Sequence, residues 1–365
     1  MSLISVIIPC RNEETYIARC IESVQRFELP EGVQIEILIV DGQSEDCTLK
    51  IVKELANADQ RICMIDNPRR IQACAINLGI RQATGDWILR IDAHAQYPST
   101  YLRLCLETAK RTKAQNVGGL VITQPGSTLY SGRLVQSLST HKFGVGNSGF
   151  RTGAPEGPTD TVPYGFMPRN IFDRVGSYDE RLVRGEDYEF NRRLAACGGN
   201  IFLNPEIQVH YFNQPSLRLF LMKQFCLEGP YNAYMWYLAP YSFALRHAVT
   251  AVFVAGLVVG AVLAPFTNWI AYPYFAIISL YCILATISGL QQAIRYREPL
   301  HVLTLPLAFL LFHCYYGVGI WVGLVRLAFG VAPVQHKSAP WDGASFSRLH
   351  PVSDITHWSQ LGVIK

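Results

Sequence analysis

Short apolar runs alternate with amphipathic stretches through the first 112 residues of the chain. Four runs, each a nearly continuous block of apolar residues, predict buried strands at 5–9, 36–40, 62–66 and 87–92. Apolar residues at helical spacing predict helices at 14–26, 45–55, 71–83 and 100–112. This strand–helix alternation indicates an α/β fold, with a parallel sheet that helices cover on both faces.

The pattern changes at residue 124. Residues 124–161 are rich in Gly, Ser, Pro and Thr and predict a long, mostly irregular excursion that serves as a functional loop or lid. A short helix is predicted near 169–175, and a second opens within 184–191 and ends at Gly198 and Gly199. Residues 216–245 combine aromatic side chains with scattered bases, which is typical of helices at a membrane surface.

Two long stretches without Asp, Glu, Lys or Arg, 248–290 and 299–325, predict a membrane region. Spans are expected at about 248–266, 270–290 and 300–326. Bases flank the first two spans at one side, so these ends are expected in the cytosol with the polar N-terminal region: Arg246, Arg295 and Arg297. The third stretch, interrupted by two glycines at 317 and 319, leaves two alternatives open, a single crossing and a re-entrant hairpin.

These patterns divide the chain into a polar α/β domain at 1–215, interfacial amphipathic helices at 216–247, a membrane region at 248–330 and a C-terminal tail at 331–365. Only 16% of the 365 residues are charged and 12% are aromatic, which excludes a disordered or coiled-coil chain. The net charge of +4, without a dense basic cluster, argues against a nucleic-acid partner. The ten cysteines show no C-x-x-C spacing and fit a reducing compartment.

Polar side chains follow three of the predicted strands. Arg11 and Glu13 come after the first strand, Asp41 after the second, and Asp92 and His94 at the end of the fourth. The carboxyl ends of parallel strands meet at one crevice, where ligands bind. Residues two apart on a strand share a face, so the last pair could ligate one divalent cation. The alternative is a turn-capping aspartate beside a surface histidine.

Two further acidic sites have ordinary structural interpretations. Glu186, Asp187 and Glu189 fall in the first turn of a predicted helix, where acids suit the helix dipole. They indicate a catalytic site only if they face the same crevice as the strand ends. Asp41 belongs either to a simple turn in which Ser44 is the helix N-cap, or to a nucleoside site.

The order of these segments resembles glycosyltransferase family 2. The resemblance covers about residues 3–245 and is carried by SVIIPCRNEE, IVDGQSEDCT, NPRRIQACAINLGIRQATGDWILRIDAHAQYP and GFMPRNIFDRVGSYDERLVRGEDYEFNRRL. Within the family, the chain is similar to the membrane-anchored branch of bacterial exopolysaccharide glucosyltransferases of the succinoglycan type. The resemblance implies a GT-A fold and inverting transfer of one hexose, expected to be glucose, from a nucleotide-diphospho-sugar, expected to be UDP-linked, to a lipid-linked saccharide at the cytoplasmic membrane.

The resemblance also implies roles for individual residues. Asp187 is the expected general base, and the metal ligands are Asp92 and His94. His94 stands where the family's D-x-D motif has its second Asp, which favours Mn²⁺ over Mg²⁺. The expected nucleotide-sugar-binding residues are Pro9, Arg11, Glu13, Asp41 and Asp92.

Three further residues are expected to support the site: Arg184, Glu186 and Gln224. Processive relatives carry Q-x-x-R-W on an interfacial helix, whereas Gln224 here opens a run without Arg-Trp, so one sugar per encounter is expected. Two alternative functions remain open at this point. One is a polyprenyl-phosphate sugar transferase, whose acceptor is the lipid phosphate itself, and the other is a non-catalytic subunit that binds a nucleotide-sugar.

Overall fold

The computed structural model describes residues 2–331. Four strands in its first part form a parallel sheet in the order β3-β2-β1-β4: β1 Ser2–Cys10, β2 Val33–Asp41, β3 Ile62–Asp66 and β4 Trp87–Arg90. They alternate with helices and are followed by one more: α1 Ile17–Gln25, α2 Thr48–Ala58, α3 Gln72–Gln82 and α4 Tyr101–Thr112. Two apolar clusters enclose the sheet, and one contains Ile8 and Ile39 while the other contains Ile7 and Val40. The predicted α/β fold is confirmed.

The sheet continues beyond β4 as a mixed sheet, so the predicted parallel arrangement holds for β1–β4 and not for the strands added after them. The additional strands are β5 Ala95–Gln96, β6 Asn116–Gln124, β7 Gly157–Pro158, β8 Phe166–Pro168 and β9 Ile201–Phe212. β8 runs antiparallel to both β4 and β6, while β6 and β9 are parallel. β6 and β9 do not show a clean strand pattern in the sequence because β6 contains adjacent glycines at a bulge and β9 contains Pro205.

Residues 124–161 are not mostly irregular, which corrects the predicted excursion. They form α5 Tyr130–Ser139 and two single-turn helices, α6 Lys142–Val145 and α7 Gly149–Thr152. The predicted helices after them are present as α8 Ile171–Val175 and α9 Glu186–Ala196. α5 was not predicted because one glycine and three serines obscure its helical pattern, although its buried residues Leu134, Val135 and Leu138 pack against the distant α14.

The last 115 described residues are almost wholly helical. α10 Leu217–Lys223, a π-helical turn Gln224–Glu228 and α11 Gly229–Leu238 form a connected helical segment. Three helices follow that are long and apolar enough to cross a membrane. They are α12 Leu245–Leu263, α13 Asn268–Tyr296 and α14 His301–Ala328.

α14 is one continuous helix, so the re-entrant hairpin alternative is wrong. Gly317 and Gly319 do not interrupt it. A Cβ on Gly317 would lie 2.4 Å from the Thr250 carbonyl oxygen, and one on Gly319 would lie 2.8 Å from that of Phe225. The glycines therefore allow close helix packing. The predicted tail at 331–365 lies outside the described residues apart from Val331.

Candidate active site

The loops that follow β1 and β2 are fastened to each other. Asn12, in the left-handed conformation, donates its backbone N–H to Ser44 Oγ at 2.9 Å, and its Oδ1 accepts from the Glu45 N–H at 2.8 Å. The Glu13 N–H donates to Thr48 Oγ1 at 2.7 Å, at the start of α2. This clamp fixes the backbone of Glu13 at the carboxyl edge of the sheet.

Asp41, Arg11 and Pro9 lie at the same edge, outside the cavity of about 610 Å³ that Asp92 and Asp187 line. The Asp41 carboxylate accepts hydrogen bonds from the Ser44 N–H at 3.0 Å and the Ser44 hydroxyl at 2.5 Å. Because α2 begins at Thr48, Ser44 is not its N-cap. Arg11 lies against Gly42, where an added Cβ would be 3.2 Å from the Arg11 side chain, and Pro9 is buried within β1.

Asp92 and His94 are each held by another polar side chain. Arg90 Nη2 lies 3.0 Å from Asp92 Oδ1, and Gln72 Nε2 donates to the same oxygen at 3.2 Å. His94 Nδ1 lies 3.0 Å from Glu13 Oε1. Burial alone would lower the pKa of His94, but the hydrogen bond to Glu13 and the charges nearby raise it to about 9. The bond at Nδ1 leaves Nε2 as the ring nitrogen that can ligate a cation, which would displace the proton that Nε2 carries in the imidazolium form.

This donor set fits a divalent cation that is shared with a substrate. Within residues 2–331, no group of three or more His, Cys, Asp or Glu side chains is placed to hold a metal ion by itself. Mg²⁺ and similar cations are commonly held by one or two protein ligands, with water and substrate phosphates completing the shell. Asp92 and His94 could supply the protein ligands, with Glu13 orienting the imidazole.

The second acidic site is the start of α9. Gly185 precedes it with φ = 79°, a conformation that glycine adopts without strain. Glu186 is 4% exposed, whereas Asp187 is half-buried and its Oδ1 accepts from the Tyr188 N–H at 2.7 Å. Burial and the neighbouring Asp187 raise the pKa of Glu186 to about 8. The two adjacent acids therefore differ in environment.

Arg90 connects the two acidic sites. Its Nη2, 3.0 Å from Asp92, is also 3.9 Å from Glu186 Oε1, and its guanidinium lies over the Tyr164 ring at 5.7 Å. A cavity of about 610 Å³ opens beside it. Seven of the residues predicted from the sequence line this cavity: Glu13, Asp92, His94, Arg184, Glu186, Asp187 and Gln224. The aspartate–histidine pair and the acids of α9 thus face the same space.

Several residues of the cavity were not predicted. Arg90 could have been, since it precedes Asp92 by two positions on the same strand face. Arg151, Tyr211 and Lys223 come from distant elements without a recognisable motif. Burial alone would raise the pKa of Tyr211, but Lys223, His94 and Arg151 lower it below its ordinary value. This wall of the cavity is therefore electrically positive.

Comparisons with known proteins identify the family of this chain. Residues 5–176 match the family model Glycosyl transferase family 2. The chain is 30% identical to the succinoglycan biosynthesis protein ExoA of Rhizobium meliloti, over 87% of this chain and 93% of that protein. It is 29% identical, over 89% of this chain and 98% of the relative, to a Methanococcus voltae protein named dolichyl N-acetyl-alpha-D-glucosaminyl phosphate 3-beta-D-2,3-diacetamido-2,3-dideoxy-beta-D-glucuronosyltransferase.

A solved structure shares the GT-A fold. It is a mannosyltransferase from Pyrobaculum calidifontis in complex with GDP-Man and Mn²⁺. The TM-score is 0.60 at 16% identity, covering 88% of this chain and 86% of the other. The likeness therefore extends from the sheet into the helices that follow it.

Proposed function

Because this chain belongs to glycosyltransferase family 2, we propose that it transfers a single hexose from a nucleotide-diphospho-sugar to a lipid-linked saccharide, with inversion at the anomeric carbon. We expect UDP-glucose as the donor and Mn²⁺, in preference to Mg²⁺, as the cation. The observation that carries the proposal is the shared cavity, in which Arg90 lies between Asp92 and the acids of α9.

The residues of the cavity can be assigned to the steps of such a transfer. The acceptor hydroxyl oxygen forms a bond to the anomeric carbon while the bond from that carbon to the diphosphate breaks. Asp187 takes the hydroxyl proton, and this general-base action typically contributes ~10²–10⁴-fold to the rate. Arg151 is proposed to balance the charge that develops on the departing diphosphate.

A divalent cation bound by Asp92 and His94 would act there as a Lewis acid on the diphosphate oxygens. Glu13, Pro9, Arg11 and Asp41 are proposed to hold the nucleotide end of the donor. Glu186 lies behind Asp187, buried next to Arg90, and Arg184 and Gln224 extend the cavity toward the membrane helices.

The apolar C-terminal helices contact the polar domain through α5. The turn between α13 and α14 contacts α5, where Glu298 forms an ion pair with Arg133 at 2.6 Å. We propose a multi-pass protein of the cytoplasmic membrane with its GT-A domain, residues 1–215, on the cytosolic side. The interfacial helices 216–247 then lie between that domain and the membrane region 248–330, and a tail at 331–365 follows.

A donor panel followed by a transfer assay tests the proposal. Thermal shifts of the full chain are measured with UDP-, GDP- and ADP-sugars, with and without Mn²⁺, and the stabilising donor is then incubated with extracted lipid-linked saccharides. We expect a Mn²⁺-dependent shift with a UDP-hexose and incorporation of one sugar per acceptor. Incorporation of many sugars, or a shift without any transfer to lipid, would contradict the proposal.

A further inference from the structure

A second cavity lies between α12 and α13. It has a volume of about 310 Å³ and is bounded by Val249, Phe253 and Gly256 of α12 and by Tyr274 and Ile277 of α13. The residues around it are almost entirely apolar. We call it the α12–α13 groove. Its position on two helices that are apolar enough to span a membrane makes a hydrocarbon chain a chemically suitable occupant.

On α12, the groove adjoins the membrane end of the active-site cavity. Arg246 and Thr250 line the active-site cavity, whereas Val249, Phe253 and Gly256 line the groove. Residues three or four positions apart occupy one face of a helix, so these five residues form a continuous stripe. A ligand lying along α12 would therefore pass from the active-site cavity into the groove.

The membrane end of the active-site cavity carries bases suited to a phosphate. Arg184 and Lys223 share one acid, Glu228, at 3.9 and 3.5 Å. The buried Nε of Arg184 has no hydrogen-bond partner among residues 2–331. Arg246 is paired with Asp160 at 2.7 Å. Three bases and two acids leave the membrane end of the active-site cavity with an excess of positive charge.

We infer that the α12–α13 groove binds the hydrocarbon chain of the lipid-linked acceptor, with its phosphate among Arg184, Lys223 and Arg246. This inference rests on the proposed function and specifies where its acceptor binds. The sugar of such an acceptor then lies in the cavity that Asp187 lines. A bilayer phospholipid carries no saccharide for that cavity, so we take the acceptor as the occupant, and competition with a phospholipid is part of the test.

Gly256 offers a direct way to close the groove. A Cβ at this position would meet no atom within 4 Å, so the side chain of Gly256→Leu enters open space in the groove. Leucine also has the higher helix propensity, and it is favourable within a membrane span. Ala261→Leu is the matched control, because Ala261 is exposed on the same helix and does not line the groove.

The test measures lipid binding to the purified full chain by native mass spectrometry. The probes are undecaprenyl phosphate, undecaprenol and dioleoylphosphatidylglycerol. We expect Gly256→Leu to weaken undecaprenyl phosphate binding about tenfold or more, from the lost burial of a few methylene groups, and Ala261→Leu to leave it unchanged. Undecaprenol should bind more weakly than its phosphate. Equal binding to wild type and Gly256→Leu, or displacement by an equal concentration of dioleoylphosphatidylglycerol, overturns the inference.

A transfer assay with extracted lipid-linked saccharides separates this inference from the proposed function. If the wild type transfers sugar and Gly256→Leu does so with an unchanged KM for the acceptor, the groove assignment fails and the proposed function stands. If the wild type transfers no sugar to any lipid-linked saccharide, the proposed function fails. Binding of undecaprenyl phosphate that depends on Gly256 would then still identify a lipid site, but not an acceptor site.

Discussion

The two sides of the cavity are built in different ways. On the proposed donor side, β1, β2 and β4 have their polar residues at or directly after the strand end, and neighbouring loops fasten to one another, as Asn12 does to Ser44. On the acceptor side, the segment 124–161 is fastened to membrane helices more than 150 residues further along the chain. The donor side is thus determined by local sequence, whereas the acceptor side requires the membrane helices.

Buried polar contacts make the connection between the segment 124–161 and the membrane helices specific. His301 of α14 lies 2.8 Å from Ser137 Oγ through Nε2 and 2.9 Å from the Tyr130 hydroxyl through Nδ1. His313 Nε2 lies 3.0 Å from the Phe143 carbonyl oxygen. Residues 144–146, just after Phe143, line the active-site cavity. The apolar C-terminal helices therefore help to shape the cavity wall as well as being able to cross a membrane.

The largest effect is expected at Asp187, where the two sides meet. Asp187→Asn removes the proposed general base, so transfer should fall by about 10²–10⁴-fold while donor binding is retained. The measurement is single-turnover transfer together with donor affinity. Glu206→Gln, which changes an exposed acid outside the cavity, is the control. Loss of donor binding would refute the assigned role. An unaffected rate would favour a phosphate acceptor, which needs no base, and hence a polyprenyl-phosphate sugar transferase.

The next largest effect concerns the donor side alone. Asp92→Asn or His94→Ala should raise the Mn²⁺ concentration for half-maximal transfer by at least about tenfold, because each removes one proposed ligand. Asp86→Asn is the matched control, since Asp86 precedes the same strand at the end remote from the cavity. Titrations of activity with Mn²⁺ and Mg²⁺ provide the measurement. A metal dependence that stays as in the wild type would exclude metal binding at these two residues.

A smaller effect is expected where the acceptor side is fastened to the membrane. His301→Leu leaves the buried Ser137 hydroxyl without its side-chain partner, which costs about 1–3 kcal/mol. Because the lining segment loosens, the KM for the acceptor should rise several-fold while donor affinity stays constant. Thermal unfolding and steady-state kinetics are the measurements. The double variant Ser137→Ala/His301→Leu should recover part of the stability that His301→Leu loses. If the donor affinity falls as much as the acceptor affinity, the distinction between the two sides is contradicted.

The same distinction explains what the sequence could predict. The strands up to β4 and the helices between them follow local patterns, and so do the positions of Glu13, Asp92 and His94 after their strands. Lys223 and Arg151 reach the cavity through packing of α10 and α7, which no spacing in the sequence encodes. α5 was not predicted because its sequence is rich in Gly and Ser, and the surface on α14 that its apolar residues pack against lies far away along the chain. Prediction fails where distant helices determine the structure.

The smallest effect on activity is expected at Glu186, although it adjoins Asp187. Its pKa of about 8, above the ordinary 4.5, means that the folded protein holds a proton that the unfolded chain releases. This contribution to stability is full below pH 4.5 and is lost as the pH rises to about 8.

Glu186→Gln resembles the protonated acid, so transfer at neutral pH should stay within about threefold of the wild type, against ~10²–10⁴-fold for removal of a general base. The stability of the wild type against thermal unfolding should decrease between pH 5 and 9 more than that of the variant. The difference should be roughly the free energy that one raised carboxyl pKa contributes. If Glu186→Gln is as inactive as Asp187→Asn, the buried acid is the base, and the acceptor must approach α9 from the side of Arg90.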